Sequence, residues 1–154
     1  MDNSKPMLII HSYCIMPNHF HFLIQATQDK ALSNFMRNFQ NSYSKYFNTI
    51  NDRTGSVFQA MFKAVRIETD EQLIHVSRYI HLNPITSYII NAEELDEYRW
   101  SSFPTYLHEG LDNAFAETGL ILNFFPSRNA YKVFLLDQID YQRRLDNIKH
   151  LILE

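Results

Sequence analysis

The amino-acid sequence predicts an α+β fold from three patterns along the chain. Residues 7–15 and 19–25 are runs of β-branched and aromatic residues, typical of strands. Residues 32–50 repeat apolar side chains at intervals of three and four, which is typical of an amphipathic helix. A second helical pattern follows Thr69. One chain thus combines both element types within the ordinary length of a single domain.

The first half of the chain is expected to hold a hairpin and a long helix. The turn-forming sequence Met16-Pro17-Asn18 separates the two strands, so they are expected to pair antiparallel. Residues 51–56 form a polar turn after the helix, and residues 57–67 are expected as one strand or two short extended pieces. The apolar face of the helix consists of Leu32, Phe35, Met36, Phe39, Tyr43, Tyr46, Phe47 and Ile50.

The second helix is expected to begin at Thr69–Glu71, where Asp70 is the predicted cap. It is predicted to run to about Leu82. Pro84 disfavours helical geometry at Asn83, so the helix is expected to end there.

The second half of the chain carries weaker signals. Residues 85–108 are expected to be irregular, apart from a short helix near residues 92–95 and a turn capped by Ser101 and Ser102. A helical pattern then covers about residues 130–153, with apolar residues spaced for one face.

Composition indicates one cytoplasmic domain. Hydrophobic residues make up 45% of the 154 positions, which is enough for a sizeable core. The lone Cys14 excludes an internal disulfide framework and a cysteine zinc cluster, and it favours a reducing compartment. No export signal or membrane-spanning run is evident. We expect a single domain over residues 1–154, with a core at 7–106 and a helical extension at 107–154.

The charge of the chain argues mildly against a nucleic-acid partner. The formal net charge is -3, whereas proteins that neutralise phosphates usually carry a basic surplus. The charge is uneven, however, because residues 37–78 hold six Lys or Arg against four Asp or Glu. A local basic face is therefore compatible with the sequence.

A His-x-His pair lies at the start of the second predicted strand. Residues two apart on a strand point to the same side, so His19 and His21 would share one face while Phe20 and Phe22 share the other. Two converging imidazoles supply two ligands of a metal site. The alternative is one histidine in the core and one on the surface, as in most such pairs.

A second group of polar residues lies on the helix after Thr69, in the sequence RYIHLNP. Tyr79 and Asn83 are four residues apart, which places both side chains on one helical face. A phenol and an amide oxygen on that face could approach one metal centre together. Individually, each is more simply explained, Tyr79 as a core-edge residue and Asn83 as a helix terminator before Pro84.

Four motifs in order resemble one known family. The segments YCIMPNHFHFLI, GSVFQAMFK, RYIHLNPI and YRWSS follow one another as in the REP-associated tyrosine transposases, relatives of the single-strand HUH transposases of insertion sequences. The resemblance covers about residues 8–106. It implies an antiparallel sheet flanked by helices, with a ferredoxin-like core, the histidines on a central strand and the tyrosine on a facing helix.

The resemblance implies a role for each candidate residue. His19 and His21 match the metal histidines of the family, Tyr79 matches its catalytic tyrosine, and Asn83 stands where related enzymes place a polar third ligand. The implied cofactor is Mg²⁺ or Mn²⁺. The implied reaction is cleavage and joining of single-stranded or hairpin DNA through a 5′-phosphotyrosine link. His81 is a conceivable proton acceptor, but as the i+2 neighbour of Tyr79 it should point elsewhere.

The implied DNA partner would be held by cationic side chains at phosphates and by aromatic rings at bases. The candidate phosphate contacts are Arg37, Lys45, Lys63, Arg66 and Arg78. For any one of them, the simpler explanation is a solvated surface charge.

One departure from the family concerns the start of the chain. Family members usually carry a strand and helix ahead of the strand that leads into MPNH, and here that strand begins within ten residues of the first residue. Either the chain is truncated or the sheet is completed by another route. An incomplete sheet would leave an exposed edge that favours association. The resemblance favours a monomer, with a dimer as the alternative.

Two other functions are compatible with the sequence. The first is a decayed or domesticated transposase that binds a DNA hairpin without cutting it, which the acidic net charge and the early first strand favour. The second is a metal-dependent hydrolase of a small phosphate ester that uses His19 and His21 without a tyrosine intermediate.

Overall fold

A β-hairpin opens the fold in the computed structural model of the chain, which describes residues 6–59, 61–111 and 115–144. Strands β1 (Leu8–Ile15) and β2 (Phe20–Ala26) pair antiparallel, as predicted. The backbone N–H of Met16 donates to the carbonyl oxygen of His19 at 2.9 Å and closes the turn. The α+β fold class is confirmed.

The other edge of β1 is covered by backbone that is not assigned to a strand. Ile15 N donates to Trp100 O at 2.7 Å, and Ser102 N donates to Tyr13 O at 3.0 Å. Further along, Glu117 N donates to Ile10 O at 2.8 Å. These bonds use the polar groups that an unpaired edge would expose to other chains.

Helix α1 (Ala31–Ile50) follows the hairpin, in agreement with the predicted amphipathic pattern. The expectation of a strand at residues 57–67 is wrong, because the described residues of this segment form no strand. Met61 and Val65 are more than four-fifths exposed. A β-branched, aromatic composition favours a strand only where a neighbouring backbone offers pairing and cover, and here the side chains lack that cover.

Helix α2 (Asp70–Thr86) departs from its prediction at both ends. Its cap is Thr69 rather than Asp70, since Thr69 Oγ1 accepts a hydrogen bond from Gln72 N at 3.1 Å. The helix also continues through Pro84, so the predicted end at Leu82 is wrong. A proline removes one helical hydrogen bond, and burial of residues 80–86 against the core offsets that loss.

The remaining elements are short. A 3-10 helix at Ala92–Glu97 matches the predicted short helix, whereas α3 (Phe103–Leu107) corrects the expectation of irregular chain up to 108. Helix α4 (Gly119–Leu122) precedes α5 (Arg128–Leu136). The single helix predicted over 130–153 is broken at residues 137–138, residues 139–144 are helical again, and the rest of it lies outside the described residues.

Backbone contacts divide the chain into two compact units. The α1 unit comprises Met1–Leu8 and Ala26–Arg66, and the hairpin unit comprises Ile9–Gln25 and Ile67–Glu154. Twelve buried hydrophobic residues form the core of the hairpin unit: Cys14, Met16, Leu23, Ile80, Leu82, Ile85, Leu95, Phe103, Tyr106, Ile121, Tyr131 and Leu135. In the described part of the chain, no helix is both long enough and apolar enough to cross a membrane.

Candidate tyrosine and histidine site

The rings of the His-x-His pair lie side by side in the hairpin unit. His19 is exposed in the turn just before β2, and His21 is half-buried on the strand. Their ring centroids are 5.0 Å apart and their planes lie at 86°. The rings of Phe20 and Phe22, with centroids 5.3 Å apart, form a second adjacent pair. The structure thus brings the two imidazoles together, although only one of them lies within the strand.

A neighbouring side chain orients His19. His19 Nδ1 lies 2.6 Å from Oδ1 of Asn18. An amide oxygen only accepts hydrogen bonds, so Nδ1 is the donor in this contact and Nε2 is the ring nitrogen left for a metal. Histidines that bind metals are commonly held this way, with one ring nitrogen donating to an oxygen and the other facing the ion. The sequence interpretation missed this role of Asn18, although the residue directly precedes His19.

Helix α2 brings Tyr79 to the same place. The ring centroids of Tyr79 and His21 are 5.4 Å apart, and the ring planes lie at 80°. His19, His21 and Tyr79 therefore form a continuous row of three rings, all within the hairpin unit. This row brings together a partly accessible phenol and two imidazoles.

Buried polar residues on the opposite side of α2 set the rotation of the helix. Ser77 and His81, one turn apart, both contact the hydroxyl of Tyr131, at 2.7 Å from Ser77 Oγ and 2.7 Å from His81 Nδ1. Ser77 Oγ also lies 3.1 Å from Ser12 Oγ on β1. Because Tyr79 lies midway between these two positions in sequence, it faces away from them. The sequence carried no signal for this network.

His81 belongs to the core rather than to the reactive site, as its spacing from Tyr79 predicts. Its Nε2 lies 2.7 Å from Ser102 Oγ, and the residue is fully buried. Burial lowers the pKa of His81 to about 3, so the ring is neutral at physiological pH. Burial also raises the pKa of Tyr106 to about 12 and that of Tyr131 well above 10, so these phenols stay protonated.

Asn83 lies one turn after Tyr79 and is 4% exposed. Its Nδ2 donates to the backbone carbonyl of Tyr79 at 3.3 Å. Its Oδ1 is the atom that would serve as a metal ligand.

The candidate metal ligands are two imidazoles, of His19 and His21, and one amide oxygen, of Asn83. Within the described ranges, no cluster of three or more His, Cys, Asp and Glu side chains is placed to hold a metal. A third protein ligand would therefore have to be of another type, such as the amide oxygen of Asn83. Mg²⁺ prefers oxygen ligands, so two imidazole ligands favour a first-row transition-metal ion over Mg²⁺.

The five predicted phosphate contacts fall into two groups. Arg37, Lys45, Lys63 and Arg66 are exposed in the α1 unit. Arg78, in contrast, is 8% exposed in the hairpin unit. Its guanidinium lies 4.2 Å from the ring centroid of Phe134, and its Nη2 lies 2.6 Å from His75 Nδ1. Its Nη1 also donates to the backbone carbonyl of Phe134 at 3.3 Å, so Arg78 packs between α2 and α5 rather than on an exposed face.

A comparison with protein families gives one match. The sequence model described as "Transposase IS200 like" matches residues 4–83, slightly more than half of the chain. The matched range contains the His-x-His pair, α1 and the tyrosine of α2. No curated protein and no solved structure matches the chain.

Proposed function

Because the chain belongs to the family of IS200-like transposases, we propose that it cuts and rejoins single-stranded DNA through a covalent bond to Tyr79. Family membership indicates a transposase-like role with DNA as the partner. The proposal adds the type of strand, the hairpin or repeat character of the substrate, and the residues that perform the reaction.

The contiguous row of His19, His21 and Tyr79 is the observation that carries the proposal. The ring centroids of His19 and His21 are 5.0 Å apart, and those of His21 and Tyr79 are 5.4 Å apart. The proposed nucleophile therefore lies beside the proposed metal ligands. A phosphodiester that lay against this row would meet both groups at once. Positioning of this kind supplies much of the rate enhancement in phosphoryl transfer.

The reaction balances without an external energy source. Oη of Tyr79 attacks phosphorus and forms a new P–O bond, while the bond between phosphorus and the 3′ oxygen breaks. The tyrosine loses its proton, and the departing 3′ oxygen gains one. A 3′-hydroxyl attacking the phosphotyrosine reverses these changes and joins two strands. Because each exchange conserves the phosphodiester, no ATP is consumed.

His19, His21 and Asn83 are the proposed ligands of a Mn²⁺ or Mg²⁺ ion. When bound, such an ion acts as a Lewis acid that neutralises charge developing on the phosphate oxygens. Asn18 holds the proton of His19 on Nδ1 and so keeps Nε2 as the binding nitrogen. The buried contacts of Ser77 and His81 keep Tyr79 on the accessible side of α2.

The exposed cations of the α1 unit are proposed to hold the substrate strand at its phosphates. These residues are Arg37, Lys45, Lys63 and Arg66. Contacts of this kind are independent of base sequence and position the strand.

The test is a covalent protein–DNA adduct that survives denaturation. Labelled hairpin DNA with single-stranded flanks is incubated with the protein and Mn²⁺, then resolved on a denaturing gel. We expect an adduct with the natural protein, none with Tyr79→Phe, and a strong reduction with His19→Ala. Tyr88→Phe removes the hydroxyl of an exposed tyrosine in the same unit and should leave the adduct intact.

The alternative functions give different results in the same assay. Binding of the hairpin without any adduct would indicate a decayed binding module. Hydrolysis of a small phosphate ester that depends on His19 and His21 but not on Tyr79 would indicate the hydrolase. An adduct that persists in Tyr79→Phe would exclude Tyr79 as the nucleophile.

A further inference from the structure

Helix α1 exposes the second half of its apolar stripe. Met36, Tyr43, Tyr46 and Ile50 follow one another at intervals of seven, three and four, and so share one face of the helix. Met36 is 3% exposed, but Tyr43, Tyr46 and Ile50 are 44%, 63% and 62% exposed. Burial therefore accounts for the start of the stripe and leaves the two tyrosines unexplained.

One of the exposed tyrosines, Tyr43, belongs to a cluster of rings, and Tyr46 lies one helical turn after it. The centroids of Tyr43 and Phe47 are 5.9 Å apart with planes inclined by 26°, and the centroid of Phe58 also lies 5.9 Å from that of Tyr43. The guanidinium of Arg53 lies 5.5 Å from the ring centroid of Phe47. These neighbours support Tyr43 from within the unit, so that its ring is held in place.

Charge is strongly divided between the two units. Residues 26–66 carry six Lys or Arg against two Asp, whereas residues 67–154 carry seven Lys or Arg against fourteen Asp or Glu. The α1 unit is therefore basic, although the net charge of the whole chain is negative. The basic residues within 26–66 are Lys30, Arg37, Lys45, Arg53, Lys63 and Arg66.

We propose that Tyr43 and Tyr46 on α1 form a stacking surface for unpaired bases of a DNA strand, whose phosphates pair with the surrounding cations. The inference rests on the proposed function, which supplies single-stranded DNA as the substrate, and it names where that strand is gripped. Aromatic rings beside cations are the usual means of holding single strands without reading their sequence. A second copy of the same face is disfavoured as the occupant, because two basic surfaces would repel.

The test measures binding separately from cleavage. Fluorescence anisotropy with labelled oligothymidylate is recorded in the Tyr79→Phe background, where no adduct is expected to form. Tyr43→Ala and Tyr46→Ala should each weaken binding by about ten-fold, within the range for loss of one stacked base. Tyr141→Ala, which removes a tyrosine that is 58% exposed in the acidic unit, should leave binding unchanged.

A second pair of variants separates stacking from simple apolar contact. Tyr46→Trp should retain binding, while Tyr46→Leu should lose it, because leucine keeps apolar area but has no π face. A blunt duplex of the same length should not discriminate between these variants, since its bases are already stacked. Binding by Tyr46→Leu equal to that of the parent would overturn the inference.

The outcomes distinguish this inference from the proposed function. If binding depends on Tyr43 and Tyr46 but the natural protein forms no adduct, the stacking surface is supported and the proposed nuclease activity is contradicted. If the natural protein forms an adduct but its binding is unchanged in Tyr43→Ala and Tyr46→Ala, the nuclease activity is supported and the stacking surface is contradicted. A dimer in light scattering that dissociates in Tyr46→Ala, without a change in DNA binding, would assign the surface to a second copy and overturn the inference.

Discussion

At the scale of single residues, the spacing of His19, His21 and Tyr79 along the hairpin and the helix allows their side chains to meet. Contacts with neighbouring side chains then fix the orientation of the rings. His19 and His21 meet although one lies in a turn and the other on β2. Tyr79 joins them because Ser77 and His81, two positions away on either side of it, are fixed in the core. Small changes in these supporting contacts should therefore alter the site as much as changes in its ligands.

Asn18 provides a direct test of such support. Asn18→Ala removes the oxygen at 2.6 Å from His19 Nδ1, so the imidazole should lose its preferred tautomer and orientation. We expect the affinity for Mn²⁺, measured by calorimetry, to fall by about ten-fold, the lower end of the usual range for such partners. Asn129→Ala, at an exposed position on α5, should have no effect. Unchanged affinity in Asn18→Ala would mean that His19 is oriented by other means.

The neutral state of His81 predicts that acid destabilises the protein. The pKa of this ring is about 3 in the folded chain, against about 6.5 for an exposed histidine. Between these values the unfolded chain binds more protons, so the free energy of unfolding is greatest above the upper value and decreases as pH falls. The contribution is about 1 kcal/mol per pH unit within that window.

Urea unfolding at a series of pH values from about 7 down to about 5 measures this slope. His108→Gln, which replaces an exposed histidine, should preserve the slope. His81→Gln should flatten it, whatever its effect on the stability at neutral pH. A natural protein whose stability is constant across the window would show that His81 is not buried in its neutral form.

At the scale of elements, α2 shows how packing decides where a helix ends. Asn83 before Pro84 is a common place for a helix to stop, yet the helix continues to Thr86 because its last turn is buried. The continuation keeps Asn83 helical, and so keeps it one turn from Tyr79. At the other end, Thr69 rather than Asp70 caps the first turn.

The cap predicts a measurable loss of stability. Thr69→Ala removes the oxygen that accepts from Gln72 N, which should lower the free energy of unfolding by about 1 kcal/mol. The same substitution within a helix is the control. Thr49→Ala removes an exposed hydroxyl on α1 that bonds the carbonyl of Lys45, and it should be neutral or slightly stabilising because alanine favours helix. Equal losses in the two variants, measured by thermal unfolding, would argue against a special role for the cap.

At the scale of the whole molecule, the two units differ in charge and in the work proposed for them. The acidic hairpin unit holds the row of His19, His21 and Tyr79, while the basic α1 unit holds the exposed Tyr43 and Tyr46. A net charge of -3 for the chain says little about either unit. The affinity for nucleic acid should depend on the charge near the binding surface rather than on the net charge. Salt screens charges that are farther from a phosphate than a Debye length.

This division predicts which cations control the dependence of binding on salt. Lys45→Gln should weaken binding of oligothymidylate and reduce the steepness of log affinity against log salt by about 0.7, the value for one phosphate contact on a single strand. Arg144→Gln removes one charge from the acidic unit and should leave the slope unchanged. If Lys45→Gln and Arg144→Gln have the same slope of log affinity against log salt, the phosphates of the strand do not contact Lys45 of the α1 unit.

Much of the fold could be predicted from the sequence, because local patterns determine local structure. Strands β1 and β2, the long helix α1 and the start of α2 follow from periodicity and turn residues within a few positions. The predicted strand at residues 57–67 and the predicted end of α2 at Leu82 were wrong for one shared reason. In both cases the outcome depended on whether distant residues offered pairing or burial, and the local sequence does not record that.

The sequence by itself determined the hairpin, helix α1, the start of helix α2 and the family, because periodicity and ordered motifs lie along the chain. Only the tertiary structure decided that Ser77, His81 and Tyr131 fix the rotation of α2, that Arg78 packs inside on Phe134, and that Tyr43 and Tyr46 remain exposed. The physical reason is that burial and buried hydrogen bonding are properties of packed surroundings. These surroundings are contributed by residues more than fifty positions away, as Tyr131 is from Ser77 and Arg78 is from Phe134.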